Sequence, residues 1–531
     1  MKRHPMNPWM QASLLLATAV VCGTLRAQAP TSGSAAQFQK YATAVEAHTT
    51  VKVLPNGLTL IVCERPEAPV FSYFTMVDAG SANDPKGESG LAHMFEHIAF
   101  KGTSEIGTTD YAKEKVALAK VEAAYAAYDG EYRRQQGGEV SSDPAKLATL
   151  KKTFDESVTA AQQYVIPNQF SRIATENGAV GLNAETSEDS TVYFWSMPEN
   201  RLELWAYLES SRIGWPVARE FYKERDVVNE ERRMRIDSSP IGRMVEEFLA
   251  AAYVAHPYGT PGVGWESDIT QVSATEAEAF HKKYYVPSNI VIAVVGDVKA
   301  SEAMPVLEKY FGRIPAGPKP LPMTTVEPVQ RAERVVTIKG QTQPLYIEGY
   351  HKPGYRDPDD AVYDAISDIL SNGRTGRLYR SLVRDQHLAA DVEGFTGFPG
   401  EKYPGLFAFF AAPMPGHTDA ECRAAIHKEI DRLKTEDVTD EELERYKSRA
   451  EAAILQGLDD NAGLAQTLAT YQTRYGDWRE MFEELKKIDA VSKADIRRVA
   501  LKTFRDDNRI SASVEFQAPA TPAVARSGGA R

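Results

Sequence analysis

Residues 87–102 (GESGLAHMFEHIAFKG) place two histidines and a glutamate within a run that is otherwise almost wholly apolar. On a helix, side chains four positions apart lie on one face, so His93 and His97 would present their imidazoles together. Imidazole suits zinc, and a catalytic zinc site keeps one position open for water. Glu96 would lie within reach of that water without being a ligand. The run therefore predicts a helix that binds zinc, with Glu96 as the base that accepts a proton.

Chance and ordinary core packing are the two alternatives to a metal site. At ordinary histidine and glutamate frequencies, the pattern arises by chance in about 1% of chains of this length. Two core histidines satisfied by hydrogen bonds would leave Glu96 unexplained, because a charge on an apolar helix is costly unless it is paired or lies beside a metal. The metal site is therefore favoured.

Two histidines and a water leave a tetrahedral site one ligand short, and the charge-rich segment 219–235 offers carboxylates for it. Glu231 lies on the predicted inward stripe of this helix and Glu224 lies two turns earlier on the same face, whereas Glu230 points towards solvent. Glu231 is thus the better third ligand, with Glu224 as a partner that orients a histidine. The alternative is that both are solvated helix carboxylates. The stripe is marked by Val227, Val228 and Met234.

The net charge of −12 argues against nucleic acid as a partner, because binding to phosphates needs a basic surface. The 531 residues are 43% apolar and 25% charged, as in soluble globular proteins, and they suffice for two or more domains. No motif of a nucleophilic serine is present. Cys63 and Cys422 are far apart, which predicts unpaired buried cysteines, with one disulfide as the alternative.

Residues 1–29 have the features of an export signal peptide. A positively charged start precedes a short apolar run at 12–23, and small residues follow near 25–29. The run is too short for a clear membrane span, although an uncleaved anchor is an alternative. A lipid anchor at Cys22 is disfavoured by the bulky Val21 before it. We therefore predict a mature protein that is periplasmic or secreted.

The order of predicted elements divides the mature chain into two α+β halves of similar size. Strand and helix patterns fill 30–312, a proline-rich linker covers 313–330, and the order then recurs over 331–516. A stretch at about 111–165, rich in Ala, Lys and Glu, predicts a long helical hairpin inserted in the first half. The low-complexity segment 517–531 predicts a disordered tail. Only the first half has the histidine motif.

HMFEH resembles the inverted zinc motif of the pitrilysin/insulinase metallopeptidases. Further segments resemble landmarks of that family, in the family's order: PNGLTLIV, DAGSAND, GLNAETSEDSTVYF, ERDVVNEE, HPYGTPGVGW, YYVPSNIVIAVVGDV and GRTGRLYRSLV. The resemblance implies one Zn²⁺ per chain, bound by His93, His97 and Glu231, with Glu96 as general base. Glu224 falls at the position of the family's second glutamate, in agreement with its helical phase.

The resemblance also implies a fold and an activity. The fold would be α+β, with two homologous α/β-sandwich domains that close like a clamshell, each an antiparallel-rich sheet covered by helices. A peptide would lie extended beside an edge strand near Asn183 and Ala184, where main-chain hydrogen bonds give affinity for many sequences. The implied function is an exported zinc-dependent endopeptidase that hydrolyses short or unfolded polypeptides.

The sequence departs from the family pattern in two places. His97 and Glu231 are further apart than in typical members, and the predicted hairpin accounts for the excess as a lid, a docking surface or a tolerated insertion. Single-chain members also have an arginine and a tyrosine in the second half that reach the substrate. Here Arg384 lies near the arginine position, but Ala390 occupies the tyrosine position.

The missing tyrosine favours an oligomer in which a partner chain supplies the absent groups. Arg377 and Tyr379 are nearby but match a packing motif. We expect a homodimer, or a heterodimer with a related zinc-less chain. Alternative functions are a zinc-binding subunit that is inactive alone and a structural or peptide-binding role. The structural role is disfavoured, because structural members of the family usually lose motif residues and all of them are present here: His93, Glu96, His97 and Glu231. A zinc-binding chain without activity of its own stays open and predicts zinc binding without turnover.

Overall fold

A computed structural model of the chain describes residues 34–137, 143–340 and 342–516. The predicted signal peptide at 1–29 and the predicted tail at 517–531 lie outside the described residues. None of the helices in the part of the chain that the structure describes combines the length and the apolar character needed to cross a bilayer.

The first half contains six strands and their covering helices among its described residues. The strands are β1 (Thr49–Val53), β2 (Thr59–Glu64), β3 (Val70–Val77), β4 (Val180–Thr186), β5 (Thr191–Pro198) and β6 (Ile290–Gly296). The helices are α1 (Ser34–His48), α2 (Leu91–Ile98), α3 (Tyr111–Gln136), α4 (Pro144–Gln162), α5 (Gln169–Glu176), α6 (Leu202–Gly214), α7 (Phe221–Arg232), α8 (Pro240–Ala252), α9 (Glu266–Gln271), α10 (Ala274–Tyr284) and α11 (Ala300–Phe311).

The second half is smaller and follows an extended linker. Its strands are β7 (Arg334–Gly340), β8 (Leu345–Lys352), β9 (Ala389–Phe398), β10 (Gly405–Pro413) and β11 (Arg509–Phe516). Its helices are α12 (Asp360–Ser371), α13 (Asp419–Thr435), α14 (Asp440–Gly457), α15 (Asn461–Tyr475), α16 (Glu480–Ala490) and α17 (Lys493–Thr503).

The two sheets repeat one strand order. The first runs β1-β2-β6-β3-β5-β4 and the second runs β7-β11-β8-β10-β9. In each described sheet a single pair of neighbours is parallel, β2 with β6 and β7 with β11, and the other pairs are antiparallel. Strand β1 of the first sheet has no counterpart in the second sheet. The other five strands match one for one, as expected of two related domains.

The halves exchange helices. Helix α15 of the second half packs on β3 and β6 of the first sheet, where Leu464 and Leu468 are fully buried. Helix α8 of the first half packs on β7, β8 and β11 of the second sheet through the buried Phe248. Burial of each such side chain contributes about 1.5–3 kcal/mol, so the exchange fixes the two halves against each other.

Strand β6 shows why this exchange matters for the core. All its residues, IVIAVVG, are buried, because one face meets the helices of its own half and the other face meets α15. Alternate side chains therefore enter different clusters: Ile292 and Val294 join one, and Val291 and Val295 join the other. A strand covered on both faces is a near-continuous apolar run, as the sequence has it.

In the segment predicted as a helical hairpin, the structure has α3 and α4 packed against each other. Phe154 of α4 and Tyr125 of α3 are buried in contact with Tyr222 of α7, so the base of the pair is part of the main core. Cys63 and Cys422 are both buried and unpaired, and they belong to different hydrophobic clusters.

Candidate metal centre

The N–H groups at the start of helix α2, which contains HMFEH, donate hydrogen bonds to a carboxyl group. Asp84 accepts hydrogen bonds from the backbone N–H groups of Gly90 at 2.7 Å and Ala92 at 2.9 Å. Burial raises the pKa of Asp84 to about 8, although the hydrogen bonds from the backbone N–H groups act in the opposite direction. The side chain therefore serves as a hydrogen-bond acceptor for N–H groups that have no partner within the helix. Gly90 has φ +88°, and a Cβ there would lie 2.5 Å from the Val263 carbonyl oxygen, so a larger residue does not fit. With Gly90 in this left-handed conformation at the cap, the helix covers Leu91–Ile98 and is shorter than the predicted run 87–102.

The apolar positions of α2 set which way the motif faces. Its buried residues are Leu91, Ala92, Met94, Phe95 and Ile98. They pack into the core of the first half, and the opposite face holds His93, Glu96 and His97, each only partly buried. These three polar side chains therefore lie together at a cavity, as the spacing predicts.

The structure brings Glu231 of α7 to the two histidines. His93 Nε2 lies 3.8 Å from Glu231 Oε2, and His97 Nε2 lies 3.6 Å from the same oxygen. The three ligand atoms all lie within 4.8 Å of one another. Tetrahedral zinc with bonds of about 2.0–2.1 Å needs donors about 3.4 Å apart. Two imidazoles and a carboxylate at this spacing fit a zinc ion with one position left open.

The protonation of His93 suits a ligand. Burial, together with the neighbouring His97, lowers the pKa of His93 to about 3, so its imidazole is neutral at physiological pH. Neutral imidazole is the form that binds a metal. The other ring nitrogen, Nδ1, is buried and lacks a hydrogen-bond partner among the described residues. Among the described residues, packing around the ring, rather than a hydrogen bond to Nδ1, orients His93.

Glu231 is oriented by an arginine beyond the end of α7. Arg235 lies on a π-helical turn, Arg233–Asp237, and its Nη2 is 2.7 Å from Glu231 Oε1. The second carboxylate oxygen, Oε2, is left facing the histidines. The predicted inward stripe on this segment is partly wrong. Val228 is buried, but the side chains of Val227 and Met234 are 46% and 63% exposed.

Glu224 lies behind His97. Its Oε2 is 3.4 Å from His97 Nδ1, and Lys101 donates a hydrogen bond to its Oε1. Burial alone would raise the pKa of Glu224, but the hydrogen bonds from His97 and Lys101 lower it below its usual value. An ionised Glu224 accepts from Nδ1–H and thereby leaves Nε2 of His97 free to act as a ligand. Glu230, in contrast, is exposed and pairs with Arg233.

Glu96 is held beside the three ligand atoms by a residue that the sequence analysis did not single out. The Thr186 hydroxyl at the end of β4 donates to Glu96 Oε2 at 2.7 Å. Burial raises the pKa of Glu96 above its ordinary value. A carboxylate whose pKa is shifted towards neutrality is suited to accept and return a proton. The signal for Thr186 was its place in NAETS, two residues after Ala184.

The metal centre opens into a cavity of about 770 Å³ between the two halves. One wall is the edge strand β4, which pairs with β5 on one side only. Asn183 and Ala184 of this strand line the cavity, and their role in substrate binding remains a prediction. An unpaired strand edge offers N–H and C=O groups to an extended chain.

The structure does not bring Arg384 to this cavity. Arg384 is exposed on a π-helical turn, Tyr379–Asp385, and pairs with the adjacent Asp385 at 2.6 Å. It is absent from the described lining of the cavity. Arg377 is buried and forms two hydrogen bonds with Glu442, which agrees with a packing role.

Other residues of the second half do reach this cavity. Tyr355 and Arg474 line the cavity, and Arg474 Nη2 lies 2.8 Å from Glu401 Oε2. The sequence offered no signal for them, because they come from a loop and from the end of α15, 119 positions apart.

Comparison with known proteins now gives the family. The sequence matches the description "Insulinase (Peptidase family M16)" over residues 61–129, which include the histidine motif. It matches "Peptidase M16 inactive domain" over residues 271–450, which lie mostly in the second half. Both halves of the chain thus contain matches to the insulinase family of peptidases. The predicted family is therefore confirmed, and the half without the histidine motif is largely the part that matches the inactive domain.

Several insulinase-family relatives match most of the chain. "Zinc protease PqqE" of Helicobacter pylori is 27% identical over 490 residues, covering 90% of this chain and 94% of the relative. A crystal structure of a protease from Helicobacter pylori has a TM-score of 0.73 and 25% identity, covering 88% of this chain and 99% of that one. The periplasmic protease PqqL from Escherichia coli has a TM-score of 0.63 and 16% identity, covering 88% of this chain and 47% of that one.

These insulinase-family structures confirm the predicted fold class. The chain has the two homologous α/β domains of the family's clamshell fold, each with its sheet and covering helices.

Proposed function

We propose that this chain is an exported, zinc-dependent endopeptidase that hydrolyses short or unfolded polypeptides. One observation supports this most directly: two imidazole nitrogens and a carboxylate oxygen converge within 4.8 Å, with the Glu96 carboxylate beside them. The relatives named zinc proteases make zinc the first choice among metals. His93, His97 and Glu231 would hold the ion.

Different residues of this chain would perform different parts of the reaction. Zinc, when bound, would lower the pKa of a coordinated water to about 7 and polarise a carbonyl. Glu96 accepts a proton from the attacking water and returns it to the leaving amine, while Thr186 holds its carboxylate in place. The edge of β4 near Asn183 and Ala184 binds the substrate backbone in an extended form, which explains a preference for unfolded chains.

An oligomer is part of this proposal. The chain covers only 47% of PqqL, so a fold of this kind occurs in a protein of about twice this length. The second half of this chain is interlocked with the first, and Arg384 does not reach the cavity. We expect a second chain, either another copy or a related zinc-less chain, to close over the cavity. The periplasmic location named for PqqL supports export.

The test is cleavage of a quenched, unstructured peptide library by the purified chain. We expect turnover that a chelator abolishes and zinc restores. Glu96→Gln should retain one zinc per chain but lose hydrolysis, because only the proton acceptor is removed. A zinc-loaded chain without turnover, even when mixed with a co-purified partner, would overturn the proposal. Light scattering on the same samples would give the oligomeric state.

A further inference from the structure

A second, apolar cavity adjoins the metal cavity. It has a volume of about 820 Å³, within the usual range for ligand pockets. Glu188, Arg235, Phe398 and Pro399 line both cavities, so the two are adjacent and share a wall. It lies between the π-helical turn, α8 and β8, and Arg235 in its wall contacts Glu231, the proposed third ligand. We call this second cavity the apolar groove.

The lining of the apolar groove contrasts with that of the metal cavity. The metal cavity has mainly polar and charged walls, whereas most groove side chains are aliphatic or aromatic. Six of them are Ile236, Ile241, Val245, Leu249, Leu345 and Phe398. Ile241 and Val245 lie one turn apart on α8 and are only half-buried, so they present apolar surface to the groove.

The charged residues of the groove do not make it a polar site. Arg235 is paired with Glu231, and Glu246 is paired with Arg232 at 2.8 Å. Glu188 stands at the junction between the groove and the metal cavity. Because Arg235, the cation in the described lining of the groove, is already paired with Glu231, an acidic substrate side chain there would lose hydration without a free ion-pair partner.

The course of a bound peptide leads into the groove. Glu96 is hydrogen-bonded to Thr186 at the last position of β4, so the metal centre lies at that end of the strand. Glu188 follows two residues later and already lines the groove. A strand advances about 3.3 Å per residue, so a peptide paired with β4 reaches the groove within about three residues of the scissile bond.

We propose that the apolar groove is a specificity subsite that takes an apolar side chain of the substrate within about three residues of the cleaved bond. This inference rests on the proposed function and narrows its substrate class to peptides with a Leu-, Phe- or Met-type residue at that place. Burial of such a side chain contributes about 1.5–3 kcal/mol, or roughly ten- to a hundredfold in affinity.

The experiment measures binding as well as cleavage. Zinc-loaded Glu96→Gln is titrated with fluorescent peptides that differ only in having Leu, Asp or Lys at each of the three positions on either side of one bond. The cleavage rates of the same peptides are measured with the unaltered chain. We expect one position at which Leu binds and is cleaved at least tenfold better than Asp, with the difference mainly in KM.

A matched pair of substitutions tests whether the walls of the apolar groove bind the substrate side chain. Val245→Asp places a carboxylate in the groove, whereas Ala250→Asp places the same group on the exposed face of the same helix. We expect Val245→Asp to weaken binding of the Leu peptide at least tenfold and to strengthen binding of the peptide that has Lys at that position. Ala250→Asp should leave the profile unchanged. A gain for lysine would not arise from misfolding.

The outcomes separate the two proposals. If the unaltered chain cleaves peptides but shows no Leu preference, and Val245→Asp leaves the profile unchanged, the groove proposal is overturned and the endopeptidase proposal stands. If Leu peptides bind selectively but no peptide is cleaved, the endopeptidase proposal fails and the groove remains a peptide-binding site. If all peptides bind Glu96→Gln equally, the groove proposal fails whatever the activity.

Discussion

The hydroxyl of Thr186 donates a hydrogen bond to the carboxylate of Glu96 at 2.7 Å, and these residues are 90 positions apart in the sequence. The bond joins the end of the edge strand β4 to the helix α2. The strand edge that we propose for substrate binding and the carboxylate that we propose as proton acceptor are therefore positioned against each other. A shift of the strand would move the Glu96 carboxylate.

Removal of this hydroxyl should slow catalysis without affecting the metal. A hydrogen bond to a charged group contributes about 1.5–3 kcal/mol, so we expect Thr186→Val to lower kcat about ten- to a hundredfold. The KM and the zinc content of this variant should stay within about twofold of those of the unaltered chain. Thr186→Ser keeps the hydroxyl and is the matched control. Steady-state kinetics with one fluorogenic peptide checks this, and an unchanged kcat in Thr186→Val would show that the bond does not position Glu96.

Glu224 should control how tightly zinc binds. Its carboxylate accepts from His97 Nδ1, and such partners of a ligand are worth about 10–100-fold in metal affinity. We expect Glu224→Gln to weaken zinc by that factor, measured by competition with a chromophoric chelator. Glu230→Gln, on the exposed side of the same helix, is the control and should have no effect. Equal affinities in both variants would contradict the role of Glu224.

The sequence predicted the local part of the metal centre better than the distant part. His93, Glu96 and His97 lie together because one helix fixes their relative positions, and a periodicity argument captures that. Glu231 was also singled out, but partly for a wrong reason. Val227 and Met234 were expected on the buried stripe with Val228, and both are exposed. Met234 departs from the helical phase because α7 ends at Arg232 and a π-helical turn follows. Val227 lies within α7 and is exposed although its neighbour Val228 is buried, so the buried stripe is narrower than predicted.

Contacts between the halves were beyond the sequence patterns. The exchange of α8 and α15 is a tertiary arrangement that a strand or helix pattern does not encode, and it brings Arg474 to the metal cavity. Arg384 was selected by resemblance, yet its side chain pairs with its neighbour on the surface. The repeated order of strands could be anticipated only as two α+β halves. The predicted domain boundaries, such as 313–330 for the linker, remain predictions.

Asp189 joins the two halves beside the metal cavity. Its Oδ1 accepts from the Tyr258 hydroxyl at 2.5 Å, and its Oδ2 accepts from the backbone N–H groups of Glu401 and Lys402 at 2.9 and 3.0 Å. Asp189→Ala would leave these donors unsatisfied, which costs about 1–3 kcal/mol per buried group. We expect a loss of about 2–4 kcal/mol in the free energy of unfolding, measured by urea denaturation. Glu185→Ala, at an exposed position of β4, is the control.

Glu442 should make the second half sensitive to acid. Burial alone would raise its pKa, but hydrogen bonds from Arg377 and from the Thr439 backbone N–H lower it to about 2, against 4.5 in the unfolded chain. The folded state therefore favours the ionised form. This stabilisation is fully present above pH 4.5 and is lost as the pH falls towards 2.

The variant Glu442→Gln separates this contribution from general acid denaturation. It cannot ionise, so its stability at pH 7 should be lower than that of the unaltered chain, and the difference should shrink as the pH falls below 4.5. Urea unfolding at several pH values between 7 and 3 measures both curves. Glu441→Gln, at an exposed neighbouring position, keeps the Arg377 pair intact and should follow the unaltered chain. A constant difference between Glu442→Gln and the unaltered chain at every pH would mean that the charge of Glu442 does not stabilise the fold.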